Sequence, residues 1–486
     1  MGKKGEFISR REFLHETAGL AAMGAVGSLL PMSAGLLNAA DLPKPGEADW
    51  PRFGHDLHNT RFNDKEKTIG PENVAKLKVK WQFDTVDNWP PVTTPAVIGD
   101  RVFIGAGGYQ YALDSATGEM KWKTETGTIG PYVGAGKNQG IRSSSNYYNG
   151  KVYYGTPQCD AIAVDAATGK ILWKTNLENN TRLKSSIFYA PVVYKDRVIM
   201  GYTSEMAQIV CLDANTGAIR WRYRVVQDIP LELQTGGGSL WTSGAIDEQM
   251  NATFNATGDS KAFMPAGPVL WAESILAHDI DTGELLWGYQ AHPNDAFDVE
   301  YCAHPMVFDA ISPERLRNDV RQCVGAGHKA GFTCLNRHSG EVYWRTMLGA
   351  ACASCGPLIN ATAVAYNKIY IQNSSPANSP PLAVTAALNA YNGEIEWIVP
   401  NPQMSSSPIA VANRVLYQGL ANNHKLEALD ARNGKRLWEY TLPSEFRGGV
   451  AIANGALYTS NGESAGWKGD DKPYKHSIFC FTIDGK

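Results

Sequence analysis

Charge is scarce in this sequence, and neither sign of charge predominates. Only 19% of the 486 residues are Asp, Glu, Lys or Arg, and the formal net charge is −3. Without a basic surplus to neutralise phosphates, nucleic acid is not expected as a partner. Long stretches with helical apolar periodicity are also missing after residue 45, so an α-helical protein is not predicted.

Turn-forming and aromatic residues are abundant instead. The chain has 48 Gly, 26 Pro, 13 Trp and 21 Tyr, and 43% of its residues are hydrophobic. This hydrophobic content excludes wholesale disorder. The mixture of turn formers with aromatic residues favours an all-β fold.

Residues 1–40 are predicted to be an export signal that precedes the folded domain, residues 41–486. The sequence Ser9–Leu14 (SRREFL) looks like a twin-arginine motif, and the 24 residues Thr17–Ala40 carry no charge. We therefore expect the mature protein in the bacterial periplasm, without stable membrane insertion. An uncleaved anchor stays open as an alternative, because an uncharged segment of this length can span a bilayer.

One phrase recurs along the rest of the chain. It has the form Ala-Leu-Asp-x-x-Thr-Gly-x-x-x-Trp, and its copies end at tryptophans 41–66 residues apart: Trp122, Trp173, Trp221, Trp287, Trp344, Trp397 and Trp438. Repeats of this length with several short strands each are typical of β-propellers. We predict that these tryptophans fill the gaps between neighbouring blades and take no part in chemistry.

The two ends of the chain predict one further unit. Phe479–Gly485 begins a repeat that lacks its last strand, whereas Leu77–Trp81 is a last strand without its beginning. Pairing the two would close the ring and cover the open sheet edges. The fold predicted is therefore an eight-bladed β-propeller from about residue 48 to residue 486.

The longest interval between repeat tryptophans departs from the common pattern. It contains a Gly-rich turn followed by Trp241, and then Asp259 near the end of a predicted strand. The segment 289–300 beyond it adds Asp298 and Glu300. Loops at one end of a rigid scaffold are where functional sites are built, so a site is expected here.

Eight cysteines follow the export segment, and in an oxidising compartment some of them can pair. The sequence does not define which ones pair. Cys352 and Cys355 form a C-x-x-C without a following His, which excludes a covalent haem site. We interpret them as a local disulfide or two buried thiols, with a redox role as the alternative. Cys302 lies near the expected site.

Three features together carry a resemblance to a known family: the segment Asp49–Phe62 (DWPRFGHDLHNTRF), the tryptophan repeats and the segment around Asp298. They resemble the alcohol dehydrogenases that depend on pyrroloquinoline quinone (PQQ), the quinoproteins, and especially the polyvinyl-alcohol-dehydrogenase-like branch. The resemblance implies oxidation of a small or polymeric alcohol, or an aldehyde, by hydride transfer to PQQ polarised by a bound cation. We expect no fused haem domain of the kind that some relatives carry. A separate cytochrome c or another acceptor is therefore expected to take the electrons.

The resemblance also assigns roles to single residues. Trp241 would form the floor beneath the quinone, because a flat ring stacks well on an indole. Asp298 would be the general base that takes the alcohol proton. Lys329 and, more weakly, Arg142 would contact the quinone.

Ligands of the cation are assigned in the same way. Glu205, Asp259 and Asp298 would bind Ca²⁺, which prefers oxygen ligands. Asp259 replaces the Asn of the family, and Phe297 replaces its Trp. Glu300 stands where lanthanide-using relatives carry an extra carboxylate, so a lanthanide is the alternative ion.

Two other functions stay open. The assembly lipoproteins of the outer membrane share these repeats, so a non-catalytic binding or assembly platform is one alternative. The other is a copper-dependent propeller oxidoreductase, whose ligands would come from His55, His58, His292, His304 and His328. The expected acidic cluster beside Trp241 favours the dehydrogenase, because a platform has no need of it.

Overall fold

The computed structural model describes most of the chain from residue 43 onward. The described residues are 43–44, 46–86, 91–126, 130–131, 138–178, 185–204, 206–226, 237–259, 269–293, 300–314, 319–328, 331–348, 362–373, 383–401, 407–420, 424–444, 446, 448–462 and 476–486. They belong to one compact unit. Residues 1–40, the predicted signal, lie outside this set. In the part of the chain that is described, no helix is long and apolar enough to cross a membrane.

Eight blades, each of four antiparallel strands, are present in the described residues, which confirms the eight-bladed propeller. From inner to outer strand, the blades are Ala96–Ile98, Arg101–Ala106, Tyr109–Asp114 and Met120–Glu125 (blade 1); Asn146–Tyr148, Lys151–Gly155, Asp160–Asp165 and Ile171–Asn176 (blade 2); Val192–Tyr194, Arg197–Gly201, Gln208–Asp213 and Ile219–Arg224 (blade 3); Ala245–Asp247, Ala252–Ala256, Ser274–Asp279 and Leu285–Gln290 (blade 4); Met306–Ile311, Val320–His328, Gly331–Asn336 and Val342–Met347 (blade 5); Ala363–Ala365, Lys368–Asn373, Val384–Asn389 and Ile395–Pro400 (blade 6); Ala410–Ala412, Val415–Leu420, Lys425–Asp430 and Arg436–Thr441 (blade 7); Ala451–Ala453, Ala456–Asn461, Ser477–Ile483 and Leu77–Asp84 (blade 8).

A few short elements complete the described fold. A two-residue strand, Phe62–Asn63, runs parallel to the inner strand of blade 7. Gly130–Pro131 pairs with Asn138–Gln139, and Val74–Lys76 forms one turn of 3-10 helix.

Blade 8 joins the two ends of the chain, as the sequence predicts. Its outer strand, Leu77–Asp84, pairs antiparallel with Ser477–Ile483, and Leu77 lies opposite Ile483. The remaining two strands of this blade come from the end of the chain. The ring is therefore closed by backbone hydrogen bonds between a strand near the start of the domain and the last strand of the chain.

Eight outer-strand tryptophans connect each blade to the next, and we call them the docking tryptophans. Each indole Nε1 donates a hydrogen bond to a backbone carbonyl of the following blade, as Trp173 does to Ala214 at 3.1 Å. The other seven pairs are Trp81–Ser115, Trp122–Ala166, Trp221–Ile280, Trp287–Arg337, Trp344–Ala390, Trp397–Ala431 and Trp438–Leu77. The predicted role of the repeat tryptophans between blades is confirmed.

The glycine of the repeat turn is required for two separate reasons, as Gly217 illustrates. Its φ of +72° favours glycine, and a Cβ added there would lie 2.6 Å from a ring carbon of Trp173. Asp213 accepts the backbone N–H groups of Asn215 and Thr216, which holds the turn together. The Asp-x-x-Thr-Gly motif is thus the surface on which the tryptophan of the preceding blade packs.

Residues 48–63 cross the centre of the ring, a feature that the repeat pattern does not predict. This segment, which we call the crossing segment, bonds to the inner strand of every blade in turn. The inner-strand partners are Val97, Tyr147, Val193, Ile246, Val307, Val364, Val411 and Ile452. The buried Arg61 side chain donates to the carbonyls of Phe53, Ile409 and Val450, so it ties blades 7 and 8 to the segment.

Candidate functional site

One face of the propeller collects loops from every blade. Because the strands of a blade alternate in direction, the loops that enter inner strands and those that follow second strands share one face. The docking turns, between the third and fourth strands, lie at the other face. Residues in the loops that enter inner strands and in the loops that follow second strands therefore lie at the same face, although their blades are distant in sequence.

Three side chains occupy the same register position in successive blades. Arg142, Phe188 and Trp241 each stand four residues before the inner strand of blades 2, 3 and 4. The Arg142 guanidinium lies 5.1 Å from the centre of the Phe188 ring, and the Phe188 and Trp241 rings stack with centres 5.5 Å apart and planes 24° apart. The propeller thus builds a cation–aromatic–aromatic stack from equivalent positions.

Trp241 is held by an acidic side chain from the next blade. Its Nε1 donates to Oε2 of Glu300 at 2.9 Å, and both side chains are buried. The same oxygen accepts the backbone N–H of Asp259 at 3.3 Å. Three predicted site residues, from the loops of blades 4 and 5, therefore meet at one carboxylate oxygen.

Gly258 makes this approach possible. A Cβ at Gly258 would lie 2.3 Å from Oε2 of Glu300 and 2.8 Å from Nε1 of Trp241. The loops on either side are bonded to each other, since Gly258 N–H donates to the Ser239 carbonyl and Gly238 N–H to that of Asp259. The glycine is needed here for close approach.

A second buried acid lies next to this group. Glu273 is fully buried, its backbone N–H bonds to the Gly258 carbonyl, and its Oε2 lies 3.2 Å from Nδ1 of His292. The His292 and His328 rings are 6.3 Å apart between centres. Burial lowers the pKa of His328 to about 3, so this imidazole is neutral at physiological pH.

The structure brings together four of the seven predicted site residues. Trp241, Asp259 and Glu300 are in direct contact, and Arg142 reaches Trp241 through Phe188. The other three, Glu205, Asp298 and Lys329, lie outside the described residues. The sequence did not indicate Phe188, Gly258 or Glu273, although the register of Phe188 relative to Arg142 and Trp241 would have revealed the first of them.

The five candidate copper ligands are distributed between different surroundings. His304 bonds to the Asn59 carbonyl at 3.0 Å, His58 contacts Glu248 and His55 packs edge-on against Trp50. Within the described ranges, no group of three or more His, Cys, Asp or Glu side chains is placed to hold a metal ion. Cys352 and Cys355 lie outside those ranges, and the six described cysteines are all buried.

Comparison with protein families places the chain in a class. The sequence profile described as PQQ, glucose/ethanol/alcohol dehydrogenase, beta-propeller domain, matches residues 50–348. This is more than half of the chain and includes all seven predicted site residues. The chain therefore belongs to the family of PQQ-dependent alcohol dehydrogenases. A second profile, that of the outer membrane protein assembly factor BamB, matches residues 272–465.

Individual relatives agree with this family. The quinohemoprotein alcohol dehydrogenase of Comamonas testosteroni is 28% identical over an alignment of 344 residues, which covers 63% of this chain and 46% of that protein. The polyvinylalcohol dehydrogenase of a Sphingopyxis strain is 26% identical over an alignment of 394 residues. This alignment covers 72% of this chain and 58% of that dehydrogenase. The chain thus spans about half the length of the curated relatives that it matches.

Solved structures share the propeller. The crystal structure of the Comamonas testosteroni enzyme superposes with a TM-score of 0.77 at 21% identity, over 90% of this chain and 81% of that one. A europium-containing methanol dehydrogenase gives a TM-score of 0.76 at 16% identity, over 90% and 98% of the two chains. These likenesses establish the fold.

Proposed function

We propose that this protein is a periplasmic dehydrogenase that oxidises an alcohol, or an aldehyde, with PQQ as its cofactor. The observation that carries the proposal is the group at the loop-bearing face in which the buried side chains of Trp241 and Glu300 meet the backbone N–H of Asp259. Membership in the alcohol dehydrogenase family supports it, because the family match spans every predicted site residue. The matches to alcohol and polyvinylalcohol dehydrogenases support a small or polymeric alcohol as the substrate.

The described side chains fit a flat, acidic quinone. Trp241 and Phe188 offer stacked aromatic rings, and the Arg142 guanidinium on the same stack suits carboxylate or carbonyl oxygens. Lys329 would add a second cation. Because Gly258 has no Cβ, the Glu300 carboxylate has room to lie against the Trp241 indole.

We infer that two of the described acidic residues, Asp259 and Glu300, are ligands of a hard cation. The backbone N–H of Asp259 donates to Oε2 of Glu300, which places the two residues side by side. Their carboxylate oxygens are the type of ligand that Ca²⁺ and lanthanides take. Glu205 and Asp298 are the further proposed ligands. Ca²⁺ is the proposed ion, and the acid at position 300 keeps a lanthanide as the alternative. Without a cation, this many carboxylates would repel one another.

The proposed chemistry divides between cofactor and protein. When bound, the quinone and its cation supply an electron-poor carbon that accepts the hydride of the alcohol. Asp298 takes the hydroxyl proton of the substrate, while Trp241 and Arg142 orient the ring. A separate cytochrome c or another one-electron acceptor would then remove the electrons. Export of residues 41–486 by the twin-arginine route belongs to the same proposal.

Reconstitution tests this function. Purified apoprotein receives PQQ with Ca²⁺ or La³⁺, quinone uptake is measured by absorbance, and dye reduction is followed with a panel of alcohols and aldehydes. We expect Asp298→Asn to bind the quinone but to lose about 10²-fold or more in turnover. Asp295→Asn, in the same segment, is the matched control and should retain activity.

Each result has a defined meaning. Turnover by Asp298→Asn at the wild-type rate would contradict the assignment of the base. Failure of the wild-type protein to take up quinone with either ion would contradict the dehydrogenase itself.

A non-catalytic platform is the second candidate, and the BamB match over residues 272–465 favours it. That match covers the repeats of the later blades but not Trp241 or Asp259. A platform would bind neither quinone nor ion, so the uptake measurement separates the two functions.

A further inference from the structure

We propose that Glu300 is a positioning residue for Trp241, which sets the orientation of the indole on which the quinone would stack. The inference rests on the proposed function and deepens it, because it gives Glu300 a role that does not depend on the ion. The role follows from the contacts of the carboxylate in the structure.

Two constraints are needed to fix a flat ring. The Phe188 ring, stacked 5.5 Å away, restricts the tilt of the Trp241 indole, but stacking is weakly directional and opposes little a swing of the ring about its Cβ attachment across that face. The hydrogen bond from Nε1 to Oε2 of Glu300, at 2.9 Å, opposes this swing. Bonds to a charged acceptor are about twice as strong as neutral ones.

The acceptor oxygen is itself held in place. Oε2 of Glu300 also accepts the Asp259 N–H, and the Asp259 carbonyl in turn accepts the N–H of Gly238, close to Trp241 in sequence. The indole and its acceptor therefore belong to one bonded frame made by two loops. Gly258 leaves the space that this frame needs.

Blade packing does not require such a bond. Every docking tryptophan satisfies its N–H with a backbone carbonyl of the next blade, as Trp173 does with Ala214. Trp241 instead uses a buried carboxylate, and burying a charge is costly unless it is well bonded. We infer that the carboxylate is kept because the site needs an oriented indole.

The first experiment observes the bond in the quinone-free protein. Tryptophan is labelled with ¹⁵N, and the indole N–H resonance of Trp241 is identified by its loss in Trp241→Phe. Glu300→Leu should move this resonance further than any docking-tryptophan resonance. Glu300→Gln keeps an acceptor oxygen and should restore most of the wild-type position. An unmoved resonance in Glu300→Leu would overturn the proposal.

The second experiment measures the affinity for PQQ at saturating Ca²⁺. Glu300→Leu should weaken binding about tenfold or more, and Glu300→Gln should recover most of the affinity. The loss should be several-fold smaller when the same change is made in Trp241→Phe, which has no N–H to orient. Equal losses in both backgrounds would overturn the positioning role and leave Glu300 as an ion ligand only.

The two experiments separate this inference from the function on which it rests. If wild-type protein binds no PQQ with either Ca²⁺ or La³⁺, the proposed function fails. The indole resonance then decides by itself whether Glu300 orients Trp241. Thermal unfolding of each variant checks that it has folded. If Glu300→Leu does not fold, Glu300→Asp takes its place, because it keeps the charge but withdraws the acceptor oxygen, and an unmoved Trp241 resonance in that variant would overturn the proposal.

Discussion

The docking tryptophans and Trp241 place the same side chain in opposite kinds of surroundings. A docking indole such as Trp173 lies against a glycine turn and donates to a backbone carbonyl at 3.1 Å. The Trp241 indole lies against Phe188 and donates to the carboxylate of Glu300 at 2.9 Å. The first arrangement recurs at seven of the eight docking tryptophans, whereas Trp438 donates to Leu77 of the closing strand. The arrangement around Trp241 depends on loops of unlike sequence from blades 4 and 5.

The difference shows how a repeat fold acquires a site. A backbone acceptor comes with the repeat, so any blade provides it without a special side chain. A carboxylate acceptor requires an acid at one position, a glycine at another and an aromatic neighbour from a third loop. The docking tryptophans should therefore affect stability, and Trp241 should affect binding.

The largest effect expected from this comparison is that of Trp173→Ala. Removing a buried indole between blades 2 and 3 should lower the free energy of unfolding by about 3–5 kcal/mol. The affinity of the Trp173→Ala variant for PQQ should stay near that of the wild type as long as the variant remains folded. Denaturant unfolding and quinone titration measure the two quantities.

Trp241→Ala is the matched partner of that variant. It should lose most PQQ affinity, because the stacking surface is gone, and it should destabilise the fold less than Trp173→Ala does. If both variants lose stability equally and bind PQQ equally, the distinction between the two classes of tryptophan is wrong.

The sequence predicts the docking tryptophans well because their contacts repeat. Each Trp, its turn and its glycine lie within one short phrase, and seven copies of the phrase average out local variation. The ring closure could also be predicted, since Leu77–Trp81 and Phe479–Gly485 each lack what the other supplies.

The site could be predicted only in part, because its contacts do not repeat. The resemblance indicated Trp241, Asp259 and Glu300, but not that one oxygen of Glu300 joins the other two. Phe188 carries no motif, and only its register four residues before an inner strand relates it to Arg142. The crossing segment, likewise, bonds to strands of every blade, the last of them 389 residues away in sequence.

A pair of glycine substitutions gives the next largest effect. Gly217→Ala should cost about 3 kcal/mol of stability, because its φ of +72° is unfavourable for alanine and the methyl group would overlap the Trp173 ring. Gly258→Ala should push the Glu300 carboxylate away from Trp241 and weaken PQQ binding about tenfold. Unfolding curves and quinone titrations of the two variants measure these losses.

The two variants should differ from the wild type in different assays: Gly217→Ala in unfolding and Gly258→Ala in quinone titration. Gly217→Ala is expected to bind PQQ normally below its unfolding temperature. Normal PQQ binding by Gly258→Ala would show that the Trp241–Glu300 contact tolerates displacement, which would remove the need for glycine at that position.

The smallest effect concerns a polar residue inside a docking interface. His278 stands where the other repeats have an aliphatic residue, namely Leu113, Val164, Leu212, Leu335, Leu388 and Leu429. It is fully buried edge-on against Tyr223, with ring centres 4.3 Å apart, and its ring nitrogens have no hydrogen-bond partner among the described residues. Burial lowers the pKa of His278 to about 3. Between about pH 3 and pH 6.5, the imidazole is therefore neutral in the folded protein while the unfolded chain binds a proton.

This depressed pKa sets the direction of a pH effect. The unfolded chain takes up a proton at His278 below about pH 6.5 and the folded protein does so only near pH 3, so stability present above pH 6.5 is lost as the pH falls. His278→Leu should remove this loss, and its stability advantage over the wild type should grow by about 2 kcal/mol between pH 7.5 and pH 5. Leu335→His, the reverse change in blade 5, should create a similar acid sensitivity. An advantage of His278→Leu that is equal at both pH values would mean that the interface between blades 3 and 4 accepts a charged imidazole.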